Sequence, residues 1–288
     1  MLSREGKFSA LCFFLSTSIL FLPIIEQVLV GLFDLRWNTW KTVVWGLPMF
    51  SVLLGIYLRL FCNELLYEIG IRSVFLGTIF AIGLLVAVNS SWEMSLFGVY
   101  MCVMSFFHYS EFLAIAWCNP RTLSTSSFLL NHSVQYNIAA VASWLEFALE
   151  IYIAPSIKRY YLVSSLGFLL CVIGEIFRKT AMITGSTNFD HIVQTEKNTK
   201  HELVTHGIYS LCRHPSYVGW FYWAIGTQVL LLNPLCTVCY TIVSWQFFNV
   251  RIHHEEHTLL YFFGRDYLDY QKRVGTGLPG IKGFSIQE

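Results

Sequence analysis

Two short stretches of this chain combine charge, imidazole and hydroxyl groups in patterns suited to an anionic substrate and a polar ligand. The first is Arg213-His214-Pro215-Ser216-Tyr217, which opens the apolar run "VGWFYWAIG". Proline is tolerated at the first position of a helix, because its missing N–H would be unpaired there anyway. A helix is therefore expected to begin here, with free N–H groups and the positive end of its dipole at His214–Tyr217. Such an end holds a carboxylate or hydrogen-bonds a nucleotide. Anchoring at a membrane interface is the plainer role for the same residues.

The second stretch is Arg251-Ile-His253-His254-Glu255-Glu256-His257. Arg251 and Glu255 are four apart and share one face of a helix; as an ordinary exposed ion pair they would contribute little. His254 and His257 are three apart, whereas the zinc-protease pattern needs histidines four apart. Membrane di-iron enzymes need more histidines, in repeated boxes, than these nine scattered ones. A solvated helix face is the expectation, with no metal.

The elements that must carry these residues are membrane helices. Only 13 % of the 288 residues are charged and 55 % are hydrophobic, against about 25 % charged in soluble domains. The net charge of +1 gives no support for a nucleic-acid partner. A bilayer-spanning helix needs about 20 mostly apolar residues. Runs of that kind lie near 11–33, 42–58, 73–88, 94–118, 133–154, 160–177, 217–232 and 234–250. The fold class is thus all-α, a polytopic membrane protein of about eight transmembrane helices. The first run is too long for a signal-peptide core and is kept as a span. Asn233-Pro234 turns the last two runs into a helical hairpin, which returns residue 251 to the membrane face of residue 214.

With eight spans both termini share one side. That side receives 15 of the 19 Lys and Arg residues, including Arg59, Arg178 and Lys200; the other receives Arg36, Lys41, Lys158 and Arg159. Both termini and the long 178–213 loop are expected to face the cytosol. Two regions follow: an N-terminal transmembrane bundle, 1–177, and a region 178–288 of loop, hairpin and an amphipathic tail, where any chemistry is expected. In that tail Leu259, Phe262, Phe263 and Tyr267 recur at helical spacings.

The cysteines carry no chemistry of their own. Cys236-x-x-Cys239 lies inside an apolar run with no second pair, and reads as packing. Asn89-Ser-Ser fits a glycosylation acceptor but is pressed between two runs. Residues 178–216 hold four of the nine histidines, and a long polar loop between spans is a functional expectation.

"GSTNFDHIVQTEKNTKHELVTHGIYSLCRHPSYVGWFYWAIGTQVLLLNPLC", with "FFNVRIHHEEHTLLYFFGRDYLDYQKRVGTGLPGIKG" downstream, closely resembles the isoprenylcysteine carboxyl methyltransferase family. The resemblance covers roughly residues 175–283. "LVTHGIYSLCRHPSYVGW" with Glu255 is shared more widely, among membrane methyltransferases that include phospholipid-methylating enzymes. Phe189-Asp-His and "GTGLPGIKG" point to the isoprenylcysteine family. The resemblance implies methyl transfer from S-adenosylmethionine to the C-terminal carboxylate of a farnesylated or geranylgeranylated cysteine. S-adenosylhomocysteine is the by-product, and prenylated CaaX proteins such as small GTPases are the partners. It also implies the endoplasmic reticulum membrane, with the active site toward the cytosol.

A carboxylate is already ionised at neutral pH, its ordinary pKa being about 3.5, so this transfer needs positioning and an arginine rather than a general base. Carried over position by position, the resemblance implies cofactor contacts at Gln194, His201, Glu202, Leu203, Val204, Tyr209, His214, Pro215, Ser216, Tyr217 and Glu255. It implies the substrate carboxylate at Arg251, with Arg178 a second carboxylate candidate. Two rival readings are a phospholipid N-methyltransferase, which has no use for Arg251 and needs a base, and an NADPH-dependent sterol reductase, which needs a phosphate cradle. A non-enzymatic receptor for prenylated proteins would need no cofactor pocket.

Overall fold

The computed structural model describes residues 1–33, 39–130, 133–194, 196–197 and 201–285. Arg36 and Lys200 of the charge count above lie outside them. The described residues are helical with connecting turns and no strand, and they fall into two compact units.

The first unit comprises residues 1–117 and 124–130. It holds α1 (Arg4–Thr17), α2 (Leu22–Phe33), α3 (Thr39–Phe61), α4 (Glu64–Asn89) and α5 (Trp92–Cys118). Local chemistry starts these helices: the Ser3 hydroxyl caps Gly6 N at 3.0 Å and Asn63 caps Leu66 N at 2.9 Å, each satisfying an otherwise open first-turn donor. Between helices, the hydroxyls of Ser9 and Ser73 meet at 2.7 Å. The rings of Phe13 and Tyr109 stack at 3.8 Å.

The second unit comprises residues 118–123 and 131–288. It contains α6 (Val134–Ile153), α7 (Tyr161–Gly185), α8 (Pro215–Leu231), α9 (Pro234–Phe263) and α10 (Arg265–Arg273). α7 and α8 pack backbone to backbone. A Cβ on Gly219 would lie 2.5 Å from the Gly174 carbonyl oxygen, and one on Gly174 2.6 Å from that of Gly219. Small residues allow this approach, as they do between membrane helices generally.

The α8–α9 hairpin turns at Asn233-Pro234 as the sequence predicts. Its stability comes from charges whose roles were not legible. The buried Lys158 ammonium donates to the Leu231 and Leu232 carbonyls at 2.8 and 3.1 Å, to Asn233 Oδ1 at 2.9 Å and to Glu150 Oε2 at 2.5 Å. The Glu146 carboxylate accepts from Leu235 N and Cys236 N, both at 2.7 Å. One cation thus closes the C-terminus of α8 while one anion closes the N-terminus of α9, each at the dipole end that favours it.

Four described helical segments are long and apolar enough to cross a membrane: Val43–Phe61, Glu64–Asn89, Trp92–Cys118 and Tyr161–Asn188. Arg4–Phe21 and Ile25–Leu32, bent by 43°, make a fifth if they form one span. The expectation of eight therefore reduces to four or five by length and composition. α6 carries Glu146 and Glu150, α8 has 17 residues, and the second half of α9 is charged. A second difference concerns the amphipathic tail. It is not a separate helix after residue 250, because α9 runs unbroken for 30 residues to Phe263, about 45 Å. Gly264, at φ 51°, ends it and turns the chain into α10, so Tyr267 lies on a different helix from Leu259, Phe262 and Phe263.

Candidate functional site

The site is built where the loop before α8 meets the second half of α9, and the meeting is organised by Glu256. This side chain is fully buried. Its carboxylate accepts from Arg213 Nε at 2.7 Å, Tyr267 Oη at 3.1 Å, Gln271 Nε2 at 3.0 Å and Phe284 N at 2.8 Å. His214 Nε2 lies 3.0 Å away. Burial pushes the carboxyl pKa up, but His214 and Arg213 outweigh it and hold it down at about 2. Glu256 is thus a fixed anion, and the sequence reading assigned it nothing.

The "GTGLPGIKG" segment supplies the outer half of this arrangement. Arg213 N and His214 N donate to the carbonyls of Gly275 and Thr276, at 2.9 and 3.3 Å. The Arg213 guanidinium donates to the carbonyls of Val274 and Lys282. At Gly283 (φ 82°) a Cβ would sit 1.8 Å from Glu256 Oε2, so only glycine lets the strap close over the carboxylate.

Held in this way, His214 becomes the N-cap of α8 and Pro215 its first residue, as the sequence predicts. The expected set of free N–H groups is smaller than supposed. Tyr217 N and Val218 N both donate to the His214 carbonyl at 3.0 Å, closing the first turn on itself. The His214 ring stacks on Tyr217 with centroids 5.5 Å apart. Arg178 is buried behind this turn, donating to Ser216 Oγ at 2.7 Å with its guanidinium over Trp220. Its packing against α8 leaves it off the cleft wall.

Tyr217 joins the Arg213–Tyr217 stretch to the Arg251–His257 stretch. Its hydroxyl donates to Glu255 Oε2 and accepts from Arg251 Nε at 2.8 Å. Arg251 Nη2 also donates to the His191 carbonyl at 2.6 Å, and the guanidinium lies over the Tyr217 ring. Three of its five N–H donors find no acceptor among the described residues.

Beside this trio opens a cleft of about 130 Å³, smaller than the roughly 300–1,000 Å³ of most small-molecule sites. Nine of the eleven expected cofactor contacts line it: Glu202, Leu203, Val204, Tyr209, His214, Pro215, Ser216, Tyr217 and Glu255. Arg251 borders it through Tyr217. Gln194 does not line it; its amide donates to Asp190 at 3.0 Å on the exposed loop. Nor does His201, whose ring packs near Phe262 and whose buried Nδ1 has no partner among the described residues. Asn188 and Tyr270, which no motif singled out, line the cleft as well, and so do Leu259 and Phe263, which the sequence marked only as apolar positions of the tail. Tyr209 is braced by its hydroxyl on the Ala181 carbonyl and by Tyr270 Oη on its own carbonyl. Burial, and then Glu255, push the Tyr209 phenol above its usual range, so it stays protonated. Cys212 beside it is similarly inert, burial raising its thiol to about 11. The rings of His253 and His257 pack edge-on against Phe284 at 5.0 and 5.1 Å. Among the described residues no cluster of histidine, cysteine or carboxylate groups is arranged to hold a metal.

The chemistry of the cleft suits a molecule with a positive polar end and a flat, weakly polar body. A partly exposed carboxylate, Glu255, shares it with the apolar side chains of Leu203, Leu259 and Phe263. Comparison with known proteins agrees with this reading. The model of the isoprenylcysteine carboxyl methyltransferase family matches residues 166–261. The chain is 48 % identical to the protein-S-isoprenylcysteine O-methyltransferase of Tribolium castaneum over 286 residues, covering 99 % of this chain and 100 % of that one. It is 47 % identical to that of Homo sapiens, covering 98 % and 95 %. A solved structure of a eukaryotic intramembrane Ras methyltransferase, an isoprenylcysteine carboxyl methyltransferase, is 46 % identical. It superposes with a TM-score of 0.89 over 99 % of this chain and 100 % of that one. Full-length identity at this level, together with the same helical architecture, shows that the chain belongs to the isoprenylcysteine carboxyl methyltransferase family.

Proposed function

We propose that this chain methylates the C-terminal carboxylate of farnesylated or geranylgeranylated cysteine in processed CaaX proteins, small GTPases among them, with S-adenosylmethionine as donor. The observation that carries the reading is the Arg251–Tyr217–Glu255 chain at the edge of the cleft, in a member of this family. S-adenosylmethionine, when bound, supplies a methyl group already activated by its sulfonium. Glu255 takes the cofactor's ammonium group, and Leu203, Val204, Leu259 and Phe263 offer apolar surface to the adenine. Glu202, Tyr209 and the His214–Tyr217 turn complete the cofactor contacts, with Gln194 and His201 contributing from the loop that flanks the cleft.

The three open N–H donors of Arg251 hold the acceptor carboxylate in a planar fork. With S-adenosylmethionine held in the cleft, an oxygen of that carboxylate would accept its methyl group as the methyl–sulfur bond breaks, and S-adenosylhomocysteine would be released. No side chain has to remove a proton. Positioning of the two reactants and partial loss of water supply the rate.

The catalytic region on this reading is 178–288, supported by an N-terminal bundle, 1–177. α6, α8 and α9 complete eight spans. The charges that make them poor spans by composition are satisfied within the protein, since Lys158 pairs with Glu150 and Glu146 caps α9, which reduces their cost in a bilayer. The Lys/Arg imbalance supports cytosolic termini and a cytosolic cleft, in the endoplasmic reticulum membrane.

The test is methyl transfer from labelled S-adenosylmethionine to N-acetyl-S-farnesylcysteine by purified protein, beside Arg251→Ala. Base-labile label in the wild type that falls at least about a hundredfold in the variant supports the reading. Cofactor binding with label on phospholipid instead would move the acceptor to an amine, and no cofactor binding would overturn the methyltransferase site.

A further inference from the structure

A groove in the first unit carries a ligand argument of its own. It lies between α3 and α4 and is walled by Val52, Gly55, Ile56, Leu60, Ile71 and Phe75. At the end formed by Pro48 and Thr78, the Ser51 and Thr78 hydroxyls meet at 2.6 Å, with the carbonyls of Leu47 and Val74 in reach at 2.9 and 2.8 Å. That part of the wall therefore presents polar atoms already satisfied by protein. The other end of the groove is different. Exposed Arg59 sits there, its guanidinium 5.1 Å from the centroid of the Tyr67 ring. Among the described residues it forms no ion pair, and the nearby Glu68 is engaged by Arg72.

Length and charge together name an occupant. The groove runs from Arg59 back to Pro48 on α3, and from Tyr67 on to Thr78 on α4. At about 1.5 Å per residue, each side is about 16 Å long, close to half of the roughly 30 Å hydrocarbon core. Arg59 follows directly on the apolar run 42–58, at the level where arginine and tyrosine meet lipid headgroups. A trough as long as one leaflet, apolar along its length, with an uncompensated guanidinium at its headgroup end, matches a lipid with one chain in the trough and a negative headgroup.

We propose that this groove binds one anionic glycerophospholipid, its phosphate on Arg59 and an acyl chain along α3 and α4. Arginine suits a phosphate because its fork gives two parallel hydrogen bonds. A choline headgroup would set a second cation beside Arg59, and a sterol would bring no charge to meet it.

Native mass spectrometry of the detergent-purified full chain, titrated with dioleoylphosphatidylserine or dioleoylphosphatidylcholine, reads this directly. The wild type is expected to retain one phosphatidylserine in preference to phosphatidylcholine. Arg59→Gln should bind it at least about tenfold more weakly, the loss of a charge-assisted contact, while Arg59→Lys keeps most of the affinity. Gly55→Leu retains the charge but fills the trough, and should lose the lipid as well; a new Cβ there meets only the end of the Ile71 side chain, at 2.9 Å. If Gly55→Leu does not fold, the exposed Arg59 variants decide alone. Equal retention of the two lipids by the wild type, or unchanged phosphatidylserine binding in Arg59→Gln, overturns the proposal.

Discussion

Arg213 and Glu256 stand 43 residues apart in sequence and 2.7 Å apart in space, with neither side chain open to water. Their contact ties the loop before α8 to α9, and the C-terminal strap is laid over both. The geometry of the cleft depends on this buried pair more than on the residues that face into it.

Glu256→Ala should therefore be far more damaging to the fold than a change at its neighbour. Breaking one side of a buried pair leaves the other charge uncompensated, at a cost of about 3–5 kcal/mol. Thermal unfolding in detergent should show a large drop for Glu256→Ala, a smaller one for Glu256→Gln, and little change for the partly exposed Glu255→Gln. Equal melting of all three would refute the assignment of Glu256 as the organising anion.

The same carboxylate sets an acid limit. Its pKa is depressed from 4.5 to about 2 in the folded protein. Its contribution is thus complete above about pH 4.5 and is lost as pH falls through about 2, where the folded state also takes up the proton. The shift corresponds to about 3 kcal/mol. Unfolding measured from pH 6 down to 2.5 should show this loss in the wild type, and a shallower slope in Glu256→Gln.

Tyr217→Phe removes one oxygen and two hydrogen bonds, to Glu255 and from Arg251. The ring that stacks on His214 remains, so the fold should survive. Cofactor affinity and the KM for the prenylcysteine substrate should both worsen, by about fivefold to tenfold each, as expected for lost bonds to charged groups. An effect on only one of the two ligands would show that the tyrosine does not connect their sites.

Much of this arrangement was readable in the sequence, and the unread parts share a physical cause. Pro215 as a helix start and Asn233-Pro234 as a hairpin turn are local signals, and both hold. Glu255 and Glu256 are adjacent and chemically identical. Successive residues on a helix point about 100° apart, so one faces the cleft and the other the strap, and only tertiary packing decides which. Asn188 and Tyr270 were missed, and Tyr267 was read only as an apolar position, because their roles arise from contacts across the loop and α10. The strap read as a family signature, while its mechanical role rests on positive-φ glycines packed against a carboxylate far away in sequence. The sequence reading counted 133–154 as a span in spite of Glu146 and Glu150, and it could not see the donors that satisfy them.

Those donors give a further expectation. Lys158→Met keeps the bulk of the side chain but takes the cation away from Glu150 and from the last carbonyls of α8. Melting should fall by the equivalent of about 3 kcal/mol or more, and Glu150→Gln in the same chain should recover part of it, because the stranded anion is then gone. If the double variant melts below the single one, the two residues are not stabilising each other.

The uninterrupted length of α9 has a mechanical corollary. Its first turn is clamped by Glu146, and Glu255 rides 21 residues further on, about 32 Å away. A lever of that length turns a 5° change of tilt into a displacement of nearly 3 Å at its far end, comparable to a hydrogen bond. Helices adjust tilt to the thickness of the membrane around them, so bilayer thickness becomes a variable of active-site alignment, and turnover in vesicles of graded acyl length should pass through an optimum.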